Sequence, residues 1–206
     1  MHKIKSITAA ALIAIAAIGL TPAPSSATVS LNVDALGQLT GAMNVNVGGT
    51  LYDVTFRDGT CFDLFTGCND PGDFAFTDQA SALQAAQALL DSVLLDGGLG
   101  NFDTDPTLTT GCEDPLKCLI HIPFSSTSNT SFSTAAAQNA TPAPFGDLVR
   151  STFIIAPKFD LTVSPQDTFA LFSAISPPAA IPEPGTWLLY LVGFALLAGF
   201  TLRRRA

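Results

Sequence analysis

Seventeen consecutive uncharged residues, Thr186 to Leu202, run into Arg203, Arg204 and Arg205 near the end of this 206-residue chain. As a helix rising about 1.5 Å per residue, the run spans roughly 25 Å, the short end of what crosses a bilayer core. Three arginines are costly to move through hydrocarbon, so they stay cytoplasmic, while Trp187 and Tyr190 suit the outer interface. Ahead of the run stands Pro182-Glu183-Pro184-Gly185. Proline fixes φ and biases the residue before it toward extended backbone, so Ile181 and Glu183 are held extended. With Pro177-Pro178, this segment is expected to be a stiff strip that a protease groove can grip.

The order of motif, span and basic cluster resembles the PEP-CTERM sorting tail of Gram-negative bacterial proteins. The resemblance covers Ile181 to Ala206 and implies recognition by a membrane-embedded exosortase that cleaves near Pro182, Glu183 and Pro184. It also implies a transient anchor, with Arg203, Arg204 and Arg205 as the membrane stop. An ordinary single-pass anchor with a proline-rich stalk has the same orientation but keeps its tail. The stretch from Gly49 through Asp53-Val54-Thr55-Phe56 to Cys68, followed by a helix, also looks like an ectodomain met in such proteins, and carries no activity with it.

The opposite end has the layout of a secretory signal peptide: basic Lys3 and Lys5, apolar Ile7 to Leu20, then small residues Ser25-Ser26-Ala27. Its apolar stretch is short for a permanent span, and Pro22 and Pro24 interrupt any longer helix. The mature chain is expected to start at Thr28. Signal peptidase and the Sec translocon are the implied partners, followed by an inner-membrane intermediate and delivery to the cell surface or beyond.

The formal charge of −8 understates the acidity of the exported part, because five of nine basic residues lie in the two ends. Between Thr28 and Pro182, sixteen carboxylates face Arg57, Lys117, Arg150 and Lys158, a net −12. Such a field repels phosphate backbones, so no nucleic-acid partner is expected; cations or neutral glycans, exopolysaccharide among them, suit it better. Cys61, Cys68, Cys112 and Cys118 all lie in this part, where oxidising conditions let disulfides persist. Of the three possible pairings, Cys61 with Cys68 and Cys112 with Cys118 is preferred, each pair flanking a Gly- or Pro-containing loop. A zinc site would want tighter spacing and more histidine.

Gly48-Gly49 reads as a two-residue turn in a hairpin over Ala42 to Phe56, pairing Val45 with Tyr52 and Met43 with Val54. From Thr77 to Leu95 the period becomes helical: Leu83, Ala86, Leu90, Val93 and Leu94 form a stripe, Thr77 the N-cap and Gly97-Gly98 the stop. This helix is expected to pack on the hairpin. Leu119 to Phe124 reads as a strand and Ser125 to Ser133 as an exposed polar loop, while Thr152 to Ala156, Phe159 to Val163 and Thr168 to Ile175 read as strands. The fold class is therefore α+β, an antiparallel β-sheet with one long amphipathic helix packed on it. The expected organisation is a signal helix (1–27), the exported domain (28–176), a Pro-rich stalk (177–185), a transmembrane helix (186–202) and a basic cytoplasmic end (203–206).

Function beyond sorting is sparsely written. Asn101-x-Asp103-x-Asp105 spaces oxygen ligands as calcium loops do, but Pro106 and Cys112 stand where an EF-hand needs Gly and Glu. These three residues are weak metal candidates in a solvated acidic loop. Asn129-Thr130-Ser131 and Asn139-Ala140-Thr141 match a glycosylation triplet, and read better as polar loop. His121 is the one histidine left after signal cleavage and sits in an apolar strand. No nucleophile elbow, phosphate loop, dinucleotide fingerprint or zinc-protease motif is present, so no catalytic residue and no cofactor is assigned. Three classes stay open, in descending order: a structural or adhesive matrix protein, a carbohydrate- or calcium-binding module, and an envelope hydrolase using paired carboxylates.

Overall fold

A computed structural model describes residues 27–128, 130–141 and 146–176. The predicted signal peptide apart from Ala27, the predicted stalk, Pro182-Glu183-Pro184, the predicted span and Arg203 to Arg205 lie outside the described residues. Among those described, no helix is long and apolar enough to cross a membrane.

The chain opens with β1 (Ser30–Val33), then β2 (Leu39–Val47) and β3 (Thr50–Arg57) around the Gly48-Gly49 turn. Both turn glycines have positive φ, as a tight hairpin requires. Val45 pairs with Tyr52 as expected, but Val54 faces Ala42, not Met43. Met43 and Asn44 together oppose one residue, with Asn44 at φ 61°, so a bulge shifts the register. A one-residue slip turns a side chain to the other face, which leaves Met43 44% exposed while Ala42 and Val54 are buried.

Seven strands form the main sheet, in the order β1-β2-β3-β9-β6-β7-β8, where β6 is Lys117–Ser128, β7 Ser131–Ala140, β8 Leu148–Ile155 and β9 Asp167–Ala174. The sheet is mixed, not purely antiparallel: β9 returns from the edge, slots between β3 and β6, and runs parallel to β6. Most of the predicted Ser125 to Ser133 loop is instead strand, the end of β6 and the start of β7. A minor hairpin, β4 (Asp96–Gly97) and β5 (Gly100–Asn101), turns through Gly98.

A short α1 (Cys61–Leu64) precedes the long helix α2, which spans Gln79–Ser92. Its N-cap is Asp78, one residue past the predicted Thr77: the Asp78 carboxylate accepts from the Ser81 N–H at 2.9 Å. The helix ends at Ser92, well before Gly97-Gly98, which serve the β4–β5 turn. The buried face is Ala82, Ala85, Ala86, Leu89 and Leu90, so Leu83 flanks the stripe and is only half-buried. The helix crosses β7 above all, with β8, β6 and β2 beneath it, not the first hairpin alone. Alanines on both sides, including Ala135 and Ala137 of β7, let helix and sheet backbones come close.

The opposite face of the sheet is covered as well. Cys61, Cys68 and Phe74 from the segment after β3, and Leu161 from the crossover before β9, pack on Phe132 and Phe169. The predicted strand at Phe159 to Val163 is a 3-10 turn over Leu161–Val163. Only Leu161 is an anchor, since Phe159 and Val163 are exposed. Its N–H donates to the Gly59 carbonyl at 3.1 Å, tying the crossover to the end of β3.

Candidate functional site

The chemistry-bearing side chains gather where β3 ends, β9 begins and the loop before β6 folds over both. His121, on β6, is buried, with Nε2 2.8 Å from Asp167 Oδ1 and Nδ1 3.0 Å from Thr134 Oγ1. Parallel pairing of β6 with β9 brings Asp167 alongside, and antiparallel pairing with β7 brings Thr134. The Ser164 hydroxyl donates to the other oxygen of Asp167. Burial works against the charge on Asp167, but the hydrogen bonds from His121 and Ser164, with His121 and Lys117 close by, hold its carboxyl below the usual carboxylate range. Phe153 and Phe169 rings pack on the imidazole. Histidine, carboxylate and hydroxyl are present, but Thr134 is wholly buried and the imidazole has both nitrogens engaged, so the group ties three strands together.

A second group lies beside it. Asp58 follows β3 and sits next to Thr168 at the start of β9, continuing the register in which Arg57 faces Phe169. Gly111 closes over them at φ 89°; a Cβ there would stand 2.2 Å from Asp58 Oδ1 and 2.6 Å from Thr168 Oγ1. Asp58 Oδ1 and Thr168 Oγ1 are both buried, and the Thr168 hydroxyl is turned toward the carboxylate as a donor. Burial pushes the Asp58 carboxyl up from 3.8 to about 6, with Asp160, Asp167 and Glu113 adding repulsion and the adjacent Thr168 hydroxyl pulling the other way. A cleft of about 720 Å³ opens here, lined by Asp58, Gly111 and Glu113 together with Gln38, Thr162 and Ser164.

The predicted disulfide pairs are both at bonding distance: Cys61–Cys68 at 1.92 Å and Cys112–Cys118 at 1.97 Å. The second braces the loop that carries Gly111. The weak metal candidates are dispersed. Asn101 lies in β5, Asp105 caps the turn at Pro106–Leu108 by accepting from Thr107, and Asp103 meets Asp147, just before β8. Among the described residues, no three Asp, Glu, His or Cys side chains converge on a point. Asn139 is buried, its amide donating to the Phe102 carbonyl at 2.6 Å, which takes it out of reach of glycosylation. Asn129 lies outside the described residues.

The Asp58 group was not visible in the linear order. Asp58, Gly111 and Thr168 each lie more than fifty positions from the next, and Arg57-Asp58-Gly59 reads as a turn. The one local hint is Gly111 beside Cys112, a glycine next to a cross-linked position. No family model, curated protein or solved structure matches this chain, so no catalytic family or enzyme relative is found for it.

Proposed function

We propose that this is an exported bacterial surface or extracellular-matrix protein with a PEP-CTERM sorting signal. It is held transiently in the inner membrane, processed by exosortase, and structural or adhesive in the exopolysaccharide or biofilm layer. The observation that carries the reading is the fixed order of Pro182-Glu183-Pro184, the uncharged run Thr186 to Leu202 and Arg203 to Arg205. Two cross-linked cysteine pairs between the two apolar ends suit an oxidising compartment.

Glu183→Ala tests the reading in the native host. Export of the variant should continue while removal of the C-terminal segment stops, giving a membrane-retained species. A variant that still loses its span would show that the motif is not the signal, and a wild-type protein that never loses it would be a permanently anchored single-pass envelope protein.

A further inference from the structure

The chain enters and leaves the described domain at the same end of the sheet. β2 runs toward the Gly48-Gly49 turn, and β1 lies antiparallel to it with Ser30 opposite Met43 and Val33 opposite Leu39, so the chain enters β1 from the turn end. There Asn44 Nδ2 donates to the Thr28 carbonyl at 3.4 Å, and Ala27 borders a groove of about 400 Å³ shared with Asn46 and Gly48. β9 pairs from Phe169 opposite Arg57 to Ala174 opposite Tyr52, and the Ile175 N–H donates to the Leu51 carbonyl at 2.9 Å, so the chain also leaves at the turn end. β1 and β9 flank the β2–β3 hairpin, three strand spacings apart, which separates the two exits by about 14 Å. Ten residues, 176–185, lead from Ile175 to the uncharged run at Thr186 and reach at most roughly 35 Å.

We propose that the Gly48-Gly49 end of the sheet is the membrane-facing end of the tethered domain, set against anionic lipid headgroups with the opposite end held outward. This placement rests on the reading of Thr186 to Leu202 as a span. The two ends differ in charge. At the far end, about 24 Å along β3, Asp58 is surrounded by Asp160, Asp167 and Glu113, and Asp34 opens the β1–β2 turn. At the turn end, Asn44, Asn46, Gln84 and Gln87 line the groove, with Asp91 alongside. Anionic headgroups repel the carboxylate-rich end once it comes within a Debye length of about 10 Å, whereas amides bring no charge and both donate to and accept from headgroup oxygens and hydroxyls. Until the signal peptide read at 1–27 is removed, Ala27 adds a second tether at the same end, and two tethers so close together oppose turning the domain over. After its removal the ten-residue tether lets the domain tip, and the charge difference sets the preference.

The test places a fluorophore on the full chain reconstituted in vesicles of phosphatidylcholine and phosphatidylglycerol in equal parts, doped with a lipid that carries a nitroxide quencher on its headgroup. Thr50→Cys puts the probe at the turn end and Val163→Cys puts it at the acidic end; both positions are exposed, and the native cysteines are cross-linked, so a maleimide dye takes only the new thiol. Quenching at Thr50→Cys should exceed that at Val163→Cys at least about threefold, given the roughly 24 Å between the ends. Omitting phosphatidylglycerol should narrow the ratio. Gln84→Cys and Leu36→Cys, exposed at the same two ends, form an independent pair with the same expected order. Equal quenching at the two ends, or stronger quenching at the acidic end, in a chain that floats with the vesicles overturns the proposal and leaves the span intact. A chain that does not float with the vesicles overturns both.

Discussion

Asp167 is the side chain on which the centre of the sheet depends most, because it holds His121 through one oxygen and Ser164 through the other. Asp167→Ala would leave a buried imidazole nitrogen without a partner, and is expected to cost about 2 kcal/mol of stability in urea denaturation. A loss near zero would mean that water substitutes for the carboxylate. Asp147 behaves in the opposite sense. Although the residue is exposed overall, its Oδ1 turns inward to accept from the Ala140 N–H at 2.8 Å. Partial burial first, and then Asp103 beside it, push its carboxyl up from 3.8 to about 6. The folded state thus binds a proton that the unfolded chain releases earlier, so this group's contribution to stability falls as pH rises from about 4 to 6. Asp147→Asn keeps the acceptor for Ala140 and removes the titration. Its urea midpoint should fall less than that of the wild type between pH 4 and 7, a modest difference because solvent screens the pair. Parallel pH profiles would show that the pair does not interact.

At the scale of elements, legibility followed one-sided burial. The first hairpin alternates and α2 keeps a helical period, so the existence and type of both could be read. Their details depend on neighbours: a bulge at Met43-Asn44 moves the register, and Asp78 outcompetes Thr77 for the cap. β7 gave no signal, because Ser131–Ala140 is buried against α2 on one face and the cross-linked segment on the other. Its alanines, threonine and buried Gln138 alternate in neither polarity nor size. Phe159 to Val163 failed in the reverse way, alternating like a strand while only Leu161 meets a core. The Asp58 group was hidden for a different reason, since strand pairing alone brings its distant members together. Close approach of strands explains Gly41, where a Cβ would stand 2.1 Å from the Val54 carbonyl oxygen of the paired strand. Backbone cannot yield as a side chain would, so Gly41→Ala should destabilise by about 3 kcal/mol or prevent folding, read from a urea melt. A cost below about 1 kcal/mol would mean that β2 and β3 separate freely there.

For the whole molecule, the last described strand before the Pro-rich strip is not at an edge. β9 is held by β3 on one side and β6 on the other, so any pull on a C-terminal tether enters the middle of the sheet. That arrangement suits a domain retained through its C-terminus, and each of the two disulfides anchors its loop in a different core cluster, Cys61–Cys68 opposite α2 and Cys112–Cys118 on the α2 side. The proposed sorting stands or falls on the fate of the tail. Intact-mass spectrometry of the protein recovered from native cells is the most direct measurement. A mature chain that begins near Thr28 and ends near Glu183 is expected; a mature chain that still ends at Ala206 would contradict processing at the tail.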